Sequence, residues 1–308
     1  MSNLSLNGIR AVGSALAGFT FWVLADTTMK AVGHSALPTA EVVGFLGFFI
    51  VSYLILLSAA RRELRILWPV KPQWQILRAL LDLGNGICVV VALRHLPLAL
   101  FYILVFLSPL AVVLLAAGFL GERLVPAKLL AIVLGFVGVV VAVNPFASKA
   151  SGDWVGYLSC AVCVACFSTN VVWSRVLTKS EDPRAMTFFS GLGMLAYGLF
   201  TLPLGFAGFS LQLFGLMAMM GLFCLLGTLF VFFAVKYTTA ANVSPFHYTQ
   251  LPTGALAAYL IWGEKPTFWM WAGGVLIAGA GLIITWVAAA EERERRNRVA
   301  VAAERVVA

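Results

Sequence analysis

Polar and reactive side chains are scarce in this chain of 308 residues, and their spacing limits the chemistry open to it. The densest group is Asn242, Ser244, His247, Tyr248, Thr249 and Gln250, followed at once by Pro252. Ser244 and His247 are three residues apart, as a nucleophile and its base would be on one helix face. No G-x-S-x-G or H-E-x-x-H accompanies them, so neither acyl transfer nor zinc hydrolysis has its remaining parts. Cys160, Cys163 and Cys166 recur every third residue on an apolar run, which spreads the thiols over one side of a helix and cannot wrap a metal. With Cys88 and Cys224 far away, no disulfide framework is expected either. No phosphate-cradling G-x4-G-K-[ST] loop occurs, so ATP binding on this chain, a cofactor and a metal are all unexpected. What remains is recognition without covalent chemistry. Trp22 and Tyr102 offer ring faces, Asp26 and Asp82 offer charge, and Asn85, Ser168, Asn170, Ser244, His247, Tyr248 and Gln250 offer hydrogen bonds.

The elements that carry these residues must be membrane spans. Hydrophobic residues make up 61% of the chain and charged ones only 11%, against about 25% charged in a soluble domain. A soluble enzyme, a disordered chain and a secreted disulfide scaffold are thereby excluded. The apolar runs are long and continuous, unlike the alternating ~10-residue strands of an outer-membrane barrel. Ten runs reach the ~20 residues that cross a bilayer: Ala11–Val32, Thr39–Ala60, Trp74–Leu96, Leu98–Leu120, Val125–Val143, Trp154–Val176, Ala185–Phe206, Leu213–Val235, Ala240–Trp262 and Phe268–Ala289. The expected fold class is an all-α polytopic membrane protein of ten transmembrane helices. The first run continues past Asp26 with no small-residue cleavage site, so it reads as a retained helix.

Basic residues set the expected orientation. With the amino terminus in the cytoplasm, seventeen of the 21 Lys and Arg fall inside, leaving only Lys30, Arg94, Lys149 and Lys265 outside. Both termini are then cytoplasmic, and the basic tail from residue 291 meets anionic lipid. The net charge of +8 reports topology, and nucleic acid is not an expected partner.

Each polar residue in a span has a plain reading beside the functional one. Asp26 precedes Lys30 by one turn, so the two can form an ion pair with Lys30 reaching outward, or Asp26 can line a path. Asp82 and Asn85 flank Gly84 and can face a cavity or join helices by hydrogen bonds. His247 can contact substrate, titrate or simply pack. Trp22 and Tyr102 lie deeper than the tryptophans near span ends and are the best stacking surfaces for a flat molecule. Glu122–Arg123 and Glu264–Lys265 close their spans as helix-end ion pairs or serve as gates.

The two halves repeat. A shift of 142 residues lays Ala92–Arg123 on Ala234–Lys265, bringing Gly121-Glu122-Arg123 onto Gly263-Glu264-Lys265; a shift of 145 lays Trp22 on Phe167 and Lys30 on Arg175. Five spans per half is an odd number, so the second half enters the bilayer inverted, as in many transporters. The expected divisions are 1–148, 149–290 and a tail, 291–308.

A span with a mid-helix proline and a terminal Gly-Glu-Arg, Pro109 to Arg123, resembles the fourth helix of an EamA repeat, and Pro252 to Lys265 resembles the ninth. Over residues ~10–290 the chain resembles the drug/metabolite transporter superfamily, and within it the YddG-type exporters of aromatic amino acids. That resemblance implies a central cavity lined by the first, third, fourth, sixth, eighth and ninth helices. It further implies export of a small metabolite, aromatic amino acids favoured, across a bacterial inner membrane by alternating access, with another metabolite or a drug, exported or imported, as the alternative. An intramembrane enzyme lacks its motifs, and a channel would want a repeated filter.

Overall fold

The structure is a computed structural model and describes residues 2–33, 35, 37–120, 126–144, 153–177, 180–208, 210–237, 244–283, 286–287 and 290. The helices of the first half are α1 (Ser2–Gly33), α2 (Thr39–Ala60), α3 (Pro72–His95), α4 (Leu98–Val105), α5 (Ser108–Leu120) and α6 (Pro126–Val143). The second half contributes α7 (Trp154–Leu177), α8 (Pro183–Thr201), α9 (Leu211–Tyr237), a 3-10 turn at Ser244–Thr249, α10 (Gln250–Trp262) and α11 (Phe268–Ile283). Among the described residues there is no strand. Six helical stretches are long and apolar enough to cross a membrane, and α6 and α11 contain shorter apolar ones. Large apolar side chains such as Phe119, Phe136, Phe200, Leu260 and Val275 face outward, as the lipid-facing surface of a bundle requires.

Local chemistry sets the helix ends. Pro72 and Pro183 occupy first-turn positions where a missing N–H costs nothing. Asp182 caps α8 by accepting the Arg184 N–H at 2.8 Å, and Asp153 caps α7 by accepting the Gly156 N–H at 3.0 Å. Gly263 ends α10 with φ +66°, a left-handed cap that a side chain disfavours.

Two expected spans are interrupted. Leu98–Leu120 divides at Phe106–Leu107, because Pro109 cannot donate to the Val105 carbonyl four residues back. Ser108 Oγ donates to that carbonyl instead, at 2.5 Å, and Ser168 Oγ of α7 donates to the Ser108 carbonyl at 3.2 Å. The expected span Ala240–Trp262 is, where described, a 3-10 turn followed by the short α10, around Pro245 and Pro252. Thr249 and Thr253 satisfy carbonyls there, donating to Phe246 and Thr249. A third expected span, Ala185–Phe206, loses its α-helical form at Thr201, ahead of the turn at Leu202-Pro203-Leu204. Irregular backbone at membrane depth persists only where protein or a cavity covers it, and Phe106 and Ser108 are both fully buried.

Most of the packing between the halves is unchanged when they are exchanged. α1 lies on α9 as α7 lies on α3, α2 touches α9 as α8 touches α3, α5 touches α7 as α10 touches α1, and α2 pairs with its own counterpart, α8. α6 meets α11 through Gly138 and Gly273. The self-paired helices run antiparallel: Gly44 meets Gly198 while Val51 meets Gly191, and Gly138 meets Ile277 while Ala142 meets Gly273. Counterparts that pack antiparallel are related by a twofold axis perpendicular to them, the geometry of an inverted repeat. Small residues allow these close approaches, as is usual between membrane helices.

Candidate functional site

Both interruptions fall at the middle of the bundle, and a set of rings gathers beside them. His247, on the 3-10 turn, stacks on Phe19 of α1, with centroids 5.2 Å apart and planes 11° apart. Edge-on to it stand Trp22 at 6.5 Å and Phe106 at 5.4 Å. Tyr102, one turn before Phe106, stacks on it at 6.3 Å and donates its hydroxyl to Asp26 Oδ2 at 2.9 Å. Trp22 Nε1 donates to Thr228 Oγ1 of α9 at 3.4 Å. Two of these rings lie on glycines of the opposite half: Trp22 on Gly227, Tyr102 on Gly254. A Cβ at Gly227 would come within 2.8 Å of Trp22 Nε1, and one at Gly254 would overlap the Tyr102 ring, so hydrogen alone fits at either place. Gln250 is buried at the start of α10.

Polar networks tie the halves on both sides of this box. At one end, Lys30 is 2% exposed and pairs with Glu264, whose other oxygen accepts the Leu98 N–H at 3.2 Å. The Lys30 ammonium also sits 4.8 Å from the centroid of the Trp262 ring. α1, α4 and the end of α10 are thereby joined. Gly33 touches Arg94, so α1 and α3 run the same way, and the Arg78 end of α3 is the far end of the bundle. There Asp82 accepts from Asn170 and Ser190 and pairs with Arg78 at 3.2 Å. Arg78 also donates to Ser174, the Met186 carbonyl and Ser190, at 3.0, 2.7 and 2.9 Å.

The sequence-derived candidates divide accordingly. Trp22, Asp26, Tyr102 and His247 come together in the box. Asp82 and Asn170 belong to the Arg78 network, and Ser168 supports the interruption at Pro109. Asn85 accepts from the Cys163 thiol at 3.1 Å, between the two groups. The side chains of Ser244 and Tyr248, and Glu122 and Arg123 altogether, lie outside the described residues. The expected Asp26–Lys30 pair does not form. The Glu264 carboxylate reaches Lys30, and Asp26 turns to Tyr102 instead. Glu264 likewise pairs across the bundle rather than with its neighbour Lys265, which is exposed. Sequence reasoning missed Phe19, Phe106 and Thr228. Phe19 stands one turn from Trp22 and Phe106 one turn from Tyr102, so helical spacing from the chosen rings would have found both. Nothing in the sequence marks Thr228.

The described residues form a helical bundle whose interrupted helices meet beside a group of rings and a carboxylate, and the family match sets the class: a multi-pass membrane transporter, not an enzyme. The chain belongs to the EamA-like transporter family, which matches it twice, over residues 9–144 and 154–286. It is 28% identical to a riboflavin transporter of Rhizobium johnstonii, over 92% of this chain and 94% of that one. It is 29% identical to a pseudopaline exporter of Pseudomonas aeruginosa, over 88% and 94%. A Rickettsia felis S-adenosylmethionine uptake transporter is 26% identical over 79% and 82%. A solved structure with 20% identity superposes with a TM-score of 0.65, covering 91% of this chain and 99% of the other, and so shares the fold.

Proposed function

We propose that this protein is a bacterial inner-membrane carrier that exports a small metabolite bearing a planar ring, aromatic amino acids foremost, by alternating access through the box between α1, α4, α9 and the 3-10 turn at Ser244–Thr249. One observation carries the reading: Phe19, Trp22, Phe106 and His247 cluster where the two interrupted segments meet, and Tyr102, stacked on Phe106, joins that cluster to Asp26. Discontinuous segments at corresponding places in two repeats mark the substrate site of many carriers. Ring faces give a flat molecule stacking area with little entropy to lose. All ten spans cross the membrane, both termini are cytoplasmic, and the halves, 1–148 and 149–290, exchange conformations about their pseudo-twofold axis. The Lys30–Glu264 pair then closes the outer end, and the Arg78–Asp82 network lies at the inner one. Asp26, Asn85, Ser244, Tyr248 and Gln250 line or flank the path, while Asp82, Ser168 and Asn170 hold its walls. A fused heterocycle is the second reading, favoured by the similarity to riboflavin and S-adenosylmethionine transporters. Counterflow in liposomes containing only this protein tests both. Saturable exchange of labelled tryptophan, competed by other planar metabolites, is expected. Exchange of sugars in preference to any ring compound would overturn the reading.

A further inference from the structure

Among the described residues, the acid in the ring box has no cation of its own. Among the described carboxylates inside the spans, Asp82 meets Arg78, and Glu41, at the first turn of α2 and away from the rings, accepts the Ala207 N–H at 2.8 Å with one oxygen while the other is buried without a described partner. Asp26 accepts only the Tyr102 hydroxyl. The nearest ammonium along α1, Lys30, is one turn away and committed to Glu264 and Trp262. Asp26 remains partly accessible, and its second oxygen has no donor among the described residues. A lone carboxylate at membrane depth is costly and by default marks a function. Here it is bonded to the Tyr102 ring at one side of a box whose ring faces also attract positive charge.

Resting on the ring-site reading, we propose that Asp26 is a subsite for a positively charged nitrogen, so that the substrate class is a planar ring carrying an ammonium or other organic cation a few bonds away. The ring enters between Trp22, Phe106 and His247, and the ammonium donates to the free Asp26 oxygen. Tyr102, held against Gly254, fixes the carboxylate by its hydroxyl. Amino acids qualify through their α-ammonium, and so do amines lacking the carboxylate. Planar acids do not.

Equilibrium dialysis of the purified full chain in detergent tests this with three indole probes: tryptamine, tryptophan and indole-3-propionate. The wild type is expected to bind the two ammonium-bearing probes at least tenfold tighter than the acid. Asp26→Asn, which keeps the shape, is expected to erase that preference while still binding indole itself. Asp26→Glu keeps the charge and is expected to keep the preference with weaker binding. Equal wild-type affinity for all three, or a preference surviving in Asp26→Asn, overturns the cation subsite and leaves the ring site standing. A wild type that binds no indole compound overturns the ring site and this proposal together.

Discussion

Replacing Glu264 by Gln tests how the bundle is held shut at the Lys30 end. The substitution preserves volume and leaves an oxygen to accept the Leu98 N–H, but strips Lys30 of its counter-charge. Lys30 is 2% exposed, so its ammonium would stay buried with only the Trp262 ring for company. Breaking a buried pair this way costs about 3–5 kcal/mol. The reverse change, Lys30→Met, leaves Glu264 28% exposed and still bonded to Leu98, so water screens it and the cost falls to about 1 kcal/mol. If this end can open, water relieves the stranded ammonium, and the penalty emerges as a shift toward the open form. About 3 kcal/mol is a shift of roughly a hundredfold. Leu98 is fully buried beneath Glu264, so a cysteine there reports opening through its rate of alkylation by an impermeant maleimide. Labelling of Leu98→Cys should rise by up to a hundredfold with Glu264→Gln and by less than tenfold with Lys30→Met. It should return most of the way when both are neutralised together. Equal rates for the two single variants, or no recovery in the double, would refute a closure built on charge pairing.

Other expectations follow from separate parts of the molecule. Gly47→Leu should cost at least 3 kcal/mol, the upper end for overpacking, because its Cβ would sit 2.5 Å from the Gly191 oxygen and Leu195 nitrogen. Gly13→Ala, with nothing within 4 Å, should leave the thermal midpoint unchanged or raised. Trp22→Ala, Asn85→Ala and His247→Ala should each lower counterflow while expression stays near wild type. Asn170→Ala should lower the melting temperature first, since Asn170 holds Asp82. At the surface, the Gly156 N–H foremost, with His95 at 2.7 Å, holds the Asp153 carboxyl below its ordinary 3.8. A lowered value means the stabilisation is complete above about pH 4 and fades as pH falls through the folded-state value. The melting gap between wild type and Asp153→Ala should therefore be steady from pH 7 to 5 and narrow toward pH 3; a constant gap would refute the cap.

The bundle was legible because its cause is compositional. Length of apolar run, proline position and the repeated Gly-Glu-cation ends all act locally, so they can be read without tertiary contacts. The interruptions were half legible. Pro109 and Pro252 stood in plain view, but whether a proline kinks or breaks a span depends on who satisfies the freed carbonyl. Ser108 does so at Val105, with Ser168 arriving from sixty residues away. Ion-pair partners were least legible. The Asp26–Lys30 spacing is a good local pair, yet Glu264 won Lys30 from 234 residues away. Local spacing sets which pairs are possible; the packing of α1 against α4 and α10 decides which one desolvates. Ring partners followed the same logic, with Trp22 and Tyr102 evident as types and their glycine beds at Gly227 and Gly254 invisible until the halves were packed.

The repeat governs the frame and spares the site. Most helix pairings survive exchange of the halves, and the latch charges recur in the sequence, Lys30 matching Arg175 and Glu264 matching Glu122. The same shifts carry Asp26 onto Val171, Phe19 onto Val164 and, in reverse, His247 onto Val105. A symmetric frame lets two conformations of similar energy interconvert, because the interactions broken at one end have counterparts formed at the other. A symmetric site would add nothing to that and would place a second carboxylate at Val171, among Val112, Leu115 and Val172 toward the Arg78 end and away from the ring box, where burying it is costly. Confining the acid and the histidine to one copy of each position therefore leaves a single charged nitrogen to be met by a single carboxylate. Val171→Asp puts the reasoning to a direct trial. Restoring the symmetry should lower the melting temperature, through an acid buried among Val112, Leu115 and Val172, without doubling the stoichiometry of tryptamine binding; two molecules bound per chain would show that the asymmetry has no such purpose.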